Sequence, residues 1–145
     1  MWLNIMITFH GTSSNNAKKI NSANVDVELG GGELGRGFYT QEFKSEAKSW
    51  AFNVSGDRQQ NVVSFDTNDN DIQNLDLIIF DRMEAGRHRL NIKTQSATGS
   101  YLFGNDLVWA PIVGTSKVNG EQYKWESKIS ELLLNDPSLT TKKII

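Results

Sequence analysis

Residues 31–41 read GGELGRGFYTQ. Glycines at 31, 32, 35 and 37 have the look of a phosphate-binding loop. Such a loop opens a helix and carries a Lys-Ser or Lys-Thr pair, whereas here Phe38, Tyr39 and Thr40 follow, residues that favour a strand. The order G-x-x-G-x-G also differs from the G-x-G-x-x-G that joins strand to helix in dinucleotide-binding βαβ units. Residues 21–37 therefore read as a glycine-rich loop feeding a short strand at 37–41. That reading turns the fold away from a doubly wound parallel sheet.

Upstream, residues 3–10 alternate: Leu3, Ile5, Ile7 and Phe9 fall on one face, and Asn4, Met6, Thr8 and His10 on the other. MWLNIMITF has no Lys or Arg before it and no small-residue cleavage site after it, so it reads as a strand and not as a signal peptide. A short helix is expected near 14–22, with several N-cap candidates ahead of Ala17 and Ile20.

Downstream, Ala47, Trp50, Ala51 and Val54 recur at helical spacing over 44–54, with Ser45 as a plausible N-cap and Trp50 facing the core. Residues 61–67 read as a strand. LDLIIF (75–80) is a strand or a buried helix, because so short an apolar run has no deciding period. RMEAGRHR (82–89) reads as a solvated basic loop containing His88. DLVWAPIVG (106–114) reads as a strand with Pro111 at an edge or bulge. Asn119-Gly120 predicts a tight type I′ hairpin into a strand at 121–127. A helix over 127–136 is expected, with Ser127 as N-cap and Ile129, Leu132 and Leu133 inward. Strands outnumber the crossovers a parallel sheet needs. The expected class is α+β, with a mixed or mostly antiparallel sheet and flanking helices in one domain, 1–145.

The 145 residues are 38% hydrophobic and 22% charged, enough for one packed core. A net charge of −2 gives no global field for a polyanion. The absence of cysteine excludes disulfides, thiol nucleophiles and cysteine-ligated zinc. With only His10 and His88 as nitrogen ligands, no metal site is expected. No apolar run approaches the length of a membrane span.

Three polar-bearing pieces stand out: FHGTS (9–13), GRGFYTQ (35–41) followed by EAKSWA (46–51), and QYKWES (122–127) after the proline-containing strand. In this order they resemble the ADP-ribosyltransferase superfamily, on the branch of poly(ADP-ribose) polymerases. More closely, they resemble a bacterial family of small uncharacterised domains with H-G-[ST], G-x-G-F-Y-T and A-x-x-W-A motifs. The matching pieces span nearly the whole chain.

The resemblance implies a split, sandwiched β-core holding NAD as substrate. It implies that His10 hydrogen-bonds a ribose hydroxyl, that Gly11 with Thr12 grips the nicotinamide carboxamide, and that Tyr39 stacks on the nicotinamide ring. Gly37, Phe38 and Thr40 would border the same cleft, and Arg36 would meet the pyrophosphate. Breaking the nicotinamide–ribose bond passes through an oxocarbenium-like state, which a nearby carboxylate stabilises. The family places a Glu at the start of the last strand. Here the register gives Gln122 or, one residue earlier, Glu121. Adjacent strand residues face opposite sides, so only one of the two can serve.

The implied activity is mono-ADP-ribosyl transfer by a bacterial or phage toxin or effector. Such a protein would be cytoplasmic or delivered into a target cell, act on an unidentified protein, nucleic-acid or small-molecule acceptor, and pair with an antitoxin or immunity protein. NAD glycohydrolysis at the same site, or a catalytically inactive binding domain, are the alternatives.

Overall fold

The alternating stretch becomes a central strand, but with its faces exchanged. In a computed structural model describing residues 4–145, β1 spans Ile5–Gly11; Leu3 lies outside the described residues. Ile5 and Ile7 are 58% and 48% exposed, while Thr8 is buried. The reason lies in the neighbours. Thr8 pairs with Phe65 and His10 with Val63, both core residues, whereas Ile7 pairs with Asp66.

After β1 the chain forms α1 (Ser14–Ser22), capped by the Ser13 hydroxyl accepting from Asn16 N–H. The glycine segment is not wholly irregular. It folds into a two-stranded hairpin, β2 (Gly31–Gly32) and β3 (Gly35–Arg36), before β4 (Phe38–Gln41). Then come α2 (Lys44–Ser55), β5 (Val62–Asn68), α3 (Asp69–Gln73) and β6 (Leu77–Ile79), so the ambiguous 75–80 run is a strand. The chain continues with α4 (Arg82–Thr94), β7 (Leu107–Pro111), β8 (Glu121–Trp125), α5 (Lys128–Asn135) and β9 (Thr140–Ile144).

The protein is therefore a mixed α+β fold. Its main sheet has seven strands in the order β6-β7-β8-β4-β1-β5-β9, antiparallel except for β6 with β7. Ladders of five to seven paired positions join β1 to β5, β5 to β9 and β7 to β8, but β1 and β4 meet only at Phe9 and Gln41. The sheet is nearly parted there, between β6-β7-β8-β4 and β1-β5-β9.

One face carries Phe38, Phe65, Leu107, Tyr123 and Trp125, packed under Ala17, Val25, Val27, Leu133 and Leu134. The other carries Tyr39, Gln122, Lys124 and Val108, covered by the hairpin and by α4. Among the described residues no helix is long and apolar enough to cross a membrane.

Several local expectations need correction. Residues 82–94 are a helix, not a loop. Its N-terminus is a capping box in which Asp81 accepts from Glu84 N–H and Glu84 accepts from Asp81 N–H. In α2 the inward residues are Ala47 and Ala51; Trp50 and Val54 are each 57% exposed. A Cβ at Gly11 would lie 1.9 Å from the Ala47 carbonyl oxygen. Helix and strand touch at this small-residue seam, which leaves Trp50 no place inside. The residue ahead of α2 is Phe43, with no side-chain cap, and Ser45 lies inside the helix. Asn119 and Gly120 lack the positive φ of a type I′ turn. The connection runs through residues 112–120, and Gly120 is instead pressed against Phe43 and Glu46. In α5 the cap at Ser127 stands, but Ser130, Leu133 and Leu134 face inward while Ile129 and Leu132 are exposed.

Candidate functional site

His10 sits where β1 leaves β4. Its Nδ1 lies 2.6 Å from the Tyr39 carbonyl oxygen, so Nδ1 carries the proton and donates. The ring stacks on Phe38 with centroids 4.3 Å apart. Burial holds its pKa below the usual histidine value, against the opposing pull of the Tyr39 carbonyl. The neutral ring thus offers Nε2 as an acceptor, and among the described residues Nε2 has no hydrogen-bond partner.

Tyr39 is the next residue after Phe38 and points to the opposite face. Its hydroxyl accepts from Leu34 N–H at 3.1 Å and donates to the Gly35 carbonyl at 2.6 Å. Its ring lies under Gly32, where a Cβ would come within 2.8 Å of the ring carbon Cζ. Burial is the main force raising the phenol pKa above its ordinary range. The glycine segment is thus a hairpin clamped by the tyrosine that follows it. The His10 and Tyr39 rings lie on opposite faces and are linked only through the Tyr39 carbonyl.

Gln122 pairs with Gln41 and shares the Tyr39 face. One end of its amide faces two acceptors, Glu33 Oε1 at 2.5 Å and the Pro111 carbonyl at 3.2 Å, so that end is the NH2. Its Oε1 has no partner among the described residues and is not sealed from solvent. Glu121 points the other way. Its backbone N–H donates to Glu42, and burial, followed by repulsion from Glu42, raises its pKa, with Arg82 opposing. Gln122 therefore shares a face with Tyr39, and Glu121 shares one with His10.

Other expected binding residues are explained by packing. Thr40 is fully buried and its hydroxyl accepts from Trp125 Nε1 at 2.9 Å, so it is closed to a ligand, contrary to the expectation. Phe38 is in the core and presents its ring to His10. A Cβ at Gly37 would meet the Lys124 side chain at 2.7 Å, and that contact accounts for the glycine. Thr12 N–H donates to the Asn61 carbonyl, and its hydroxyl accepts from Asn16. Arg36 lines a cleft of about 250 Å³ with Glu126, Ser127 and Lys128. A shallower cleft of about 480 Å³ lies beside α2, lined by Lys48, Phe52, Asp57 and Arg58. Neither cleft includes His10 or Tyr39.

Glu126 is buried and tied down. Its carboxylate meets Lys124 Nζ at 2.5 Å and accepts from Phe103 and Gly104 N–H, so it cannot stand in for a carboxylate at position 122. His88 is not in a solvated loop. It lies on α4 against Phe80 and Phe103, with centroids 4.5 and 5.0 Å away.

Patterning does not single out Glu33 or Gln41. Glu33 stands at the hairpin tip, where its carboxylate accepts from Gln122 and from Val113 N–H and lies 3.6 Å from Arg89 Nε. The available signal was a lone carboxylate between two glycine pairs. Gln41 carries no signal at all, since its place is set by a pairing between distant strands. Among the described residues no group of three or more metal-ligating side chains occurs. No protein-family model matches the chain, and no curated protein matches it.

Proposed function

We propose that the chain binds NAD where β1 and β4 part and transfers ADP-ribose from it to an acceptor. The observation that carries this reading is the state of His10. At the weakest junction of the sheet its Nδ1–H is fixed by a backbone carbonyl, its ring is held flat on Phe38, and Nε2 is left free. A neutral, oriented imidazole acceptor suits a ribose hydroxyl.

The row Phe9–Gln41–Gln122 runs from that junction across two strand spacings, about 10 Å. The row lies on the Tyr39 face, opposite the His10 ring, and ends at a second free acceptor, Gln122 Oε1, so a ligand that meets both has to pass between the parted edges of β1 and β4. In the reaction the C1′–nitrogen bond of NAD breaks and its electron pair leaves on nicotinamide. A nucleophilic atom of the acceptor bonds to C1′ and releases its proton. In this reading Tyr39 orients His10 and clamps the hairpin, and its ring does not stack on nicotinamide. The bacterial or phage effector role, with an antitoxin partner, belongs to the same proposal.

A second reading is a binding domain without cleavage. It is favoured by the neutral Gln122, whose NH2 is already occupied, and by the closure of Thr40.

The test is incubation with labelled NAD, with and without cell extract, measuring free nicotinamide and label on acceptors. His10→Ala is expected to lower both by about 100-fold. Nicotinamide release without extract marks hydrolysis. Binding of NAD without release selects the second reading, and the absence of any shift in melting temperature with NAD rejects both.

A further inference from the structure

The chemistry proposed above develops positive charge on the ribose, and position 122 offers only a neutral amide. We propose that Glu33, at the tip of the β2–β3 hairpin, supplies the carboxylate that Gln122 lacks; the inference rests on the proposed cleavage of NAD.

Three observations carry it. Glu33 Oε1 lies 2.5 Å from Gln122 Nε2, so its charge stands directly beside the third position. The carboxylate is fixed, because Val113 N–H also donates to Oε1 at 2.8 Å and a Cβ at Gly114 would lie 2.4 Å from Oε2. The hairpin is itself held from beneath by the Tyr39 hydroxyl on Leu34 and Gly35, so the tip is placed by the tyrosine of the motif. The charged neighbour is Arg89, at 3.6 Å and one-third exposed. That guanidinium meets Oε2 and offsets part of the carboxylate's charge, while Oε1 remains the oxygen that faces Gln122.

By holding the NH2 of Gln122, Glu33 also leaves the amide oxygen as its unengaged end. Oxygen and carboxylate then act as one unit, the oxygen accepting a ribose hydroxyl and the charge opposing the cation as the nicotinamide bond opens. Glu33 reaches its place from a loop, whereas the resemblance puts the acid on the strand itself.

The experiment compares wild type, Glu33→Gln, and Glu33→Gln combined with Gln122→Glu, in nicotinamide release from NAD with cell extract as the source of acceptor, and in thermal midpoint. Glu33→Gln keeps the side-chain shape and an oxygen for Val113 N–H. The expected result is a kcat loss of about 100-fold or more, with KM changed by no more than about twofold and the midpoint preserved. Restoring a carboxylate through Gln122→Glu should return much of the rate. Full activity in Glu33→Gln overturns the proposal. So does a loss that follows a collapsed midpoint or a raised KM, since either outcome makes Glu33 a structural latch. A wild type that binds NAD but never cleaves it overturns the proposed function as well, which separates the two failures.

Discussion

The two faces of the central sheet are held by different forces. On one, Phe38, Phe65, Leu107 and Trp125 are buried among aliphatic side chains, with Thr8, Thr40, Thr67 and Thr140 as polar intrusions. On the other, Gln122, Lys124 and Glu126 form a buried polar row along β8, bonded to Glu33, to the Tyr101 carbonyl and to the backbone of Phe103 and Gly104. The apolar face depends on volume and area removed from water. The polar face depends on directed bonds that fix where two loops and a hairpin lie. Positioning belongs to the second face, and His10 reaches toward it only through a backbone carbonyl.

The largest expected effect tests the apolar face. Trp125 is fully buried, and Trp125→Ala should cost about 3–5 kcal/mol in urea unfolding through cavity formation. A smaller loss would mean that this face collapses readily. On the polar face Lys124→Met should cost a similar amount, about 3–5 kcal/mol, but for another reason, because Glu126 is left buried without its cation. The contrast sharpens with Lys124→Met plus Glu126→Met. The double variant should be more stable than Lys124→Met alone; an additive further loss would break the distinction between the faces.

A smaller effect is expected from Tyr39→Phe. It removes the hydroxyl that bonds Leu34 N–H and the Gly35 carbonyl, at a cost of about 1–2 kcal/mol. Faster hydrogen exchange at the Leu34 amide would show that the loss is local to the hairpin.

The smallest effect is the pH dependence of His10. Its folded pKa lies below 6.5, so the unfolded chain binds more protons as pH drops beneath that value. The contribution of His10 should be complete above pH 6.5 and be lost as pH falls through the lowered folded value. Comparing urea midpoints of wild type and His10→Gln across that range isolates it. A flat difference would show that the imidazole is no more confined than in the unfolded chain.

The sequence alone determined the mixed α+β class, the short strand after the glycines, the helix near 14–22 and the Ser127 cap, because each follows from local propensity and period. It also marked His10 and Tyr39 as candidate site residues, whose rings the structure puts on opposite faces of the sheet. The helix at 82–94 escaped because its pattern is weak and only the Asp81–Glu84 box announces it.

Which face of β1 is the core was decided by the tertiary structure. Alternation gives two faces but not which of them meets Phe65. The same holds for Gln122 and Glu121, whose sides are set by pairing with Gln41 and Pro111. The partnership of Glu33 with Gln122 spans 89 residues of chain. A bond closed across that separation leaves no local pattern in the sequence, because its geometry exists only once the hairpin and β8 have packed on the same sheet.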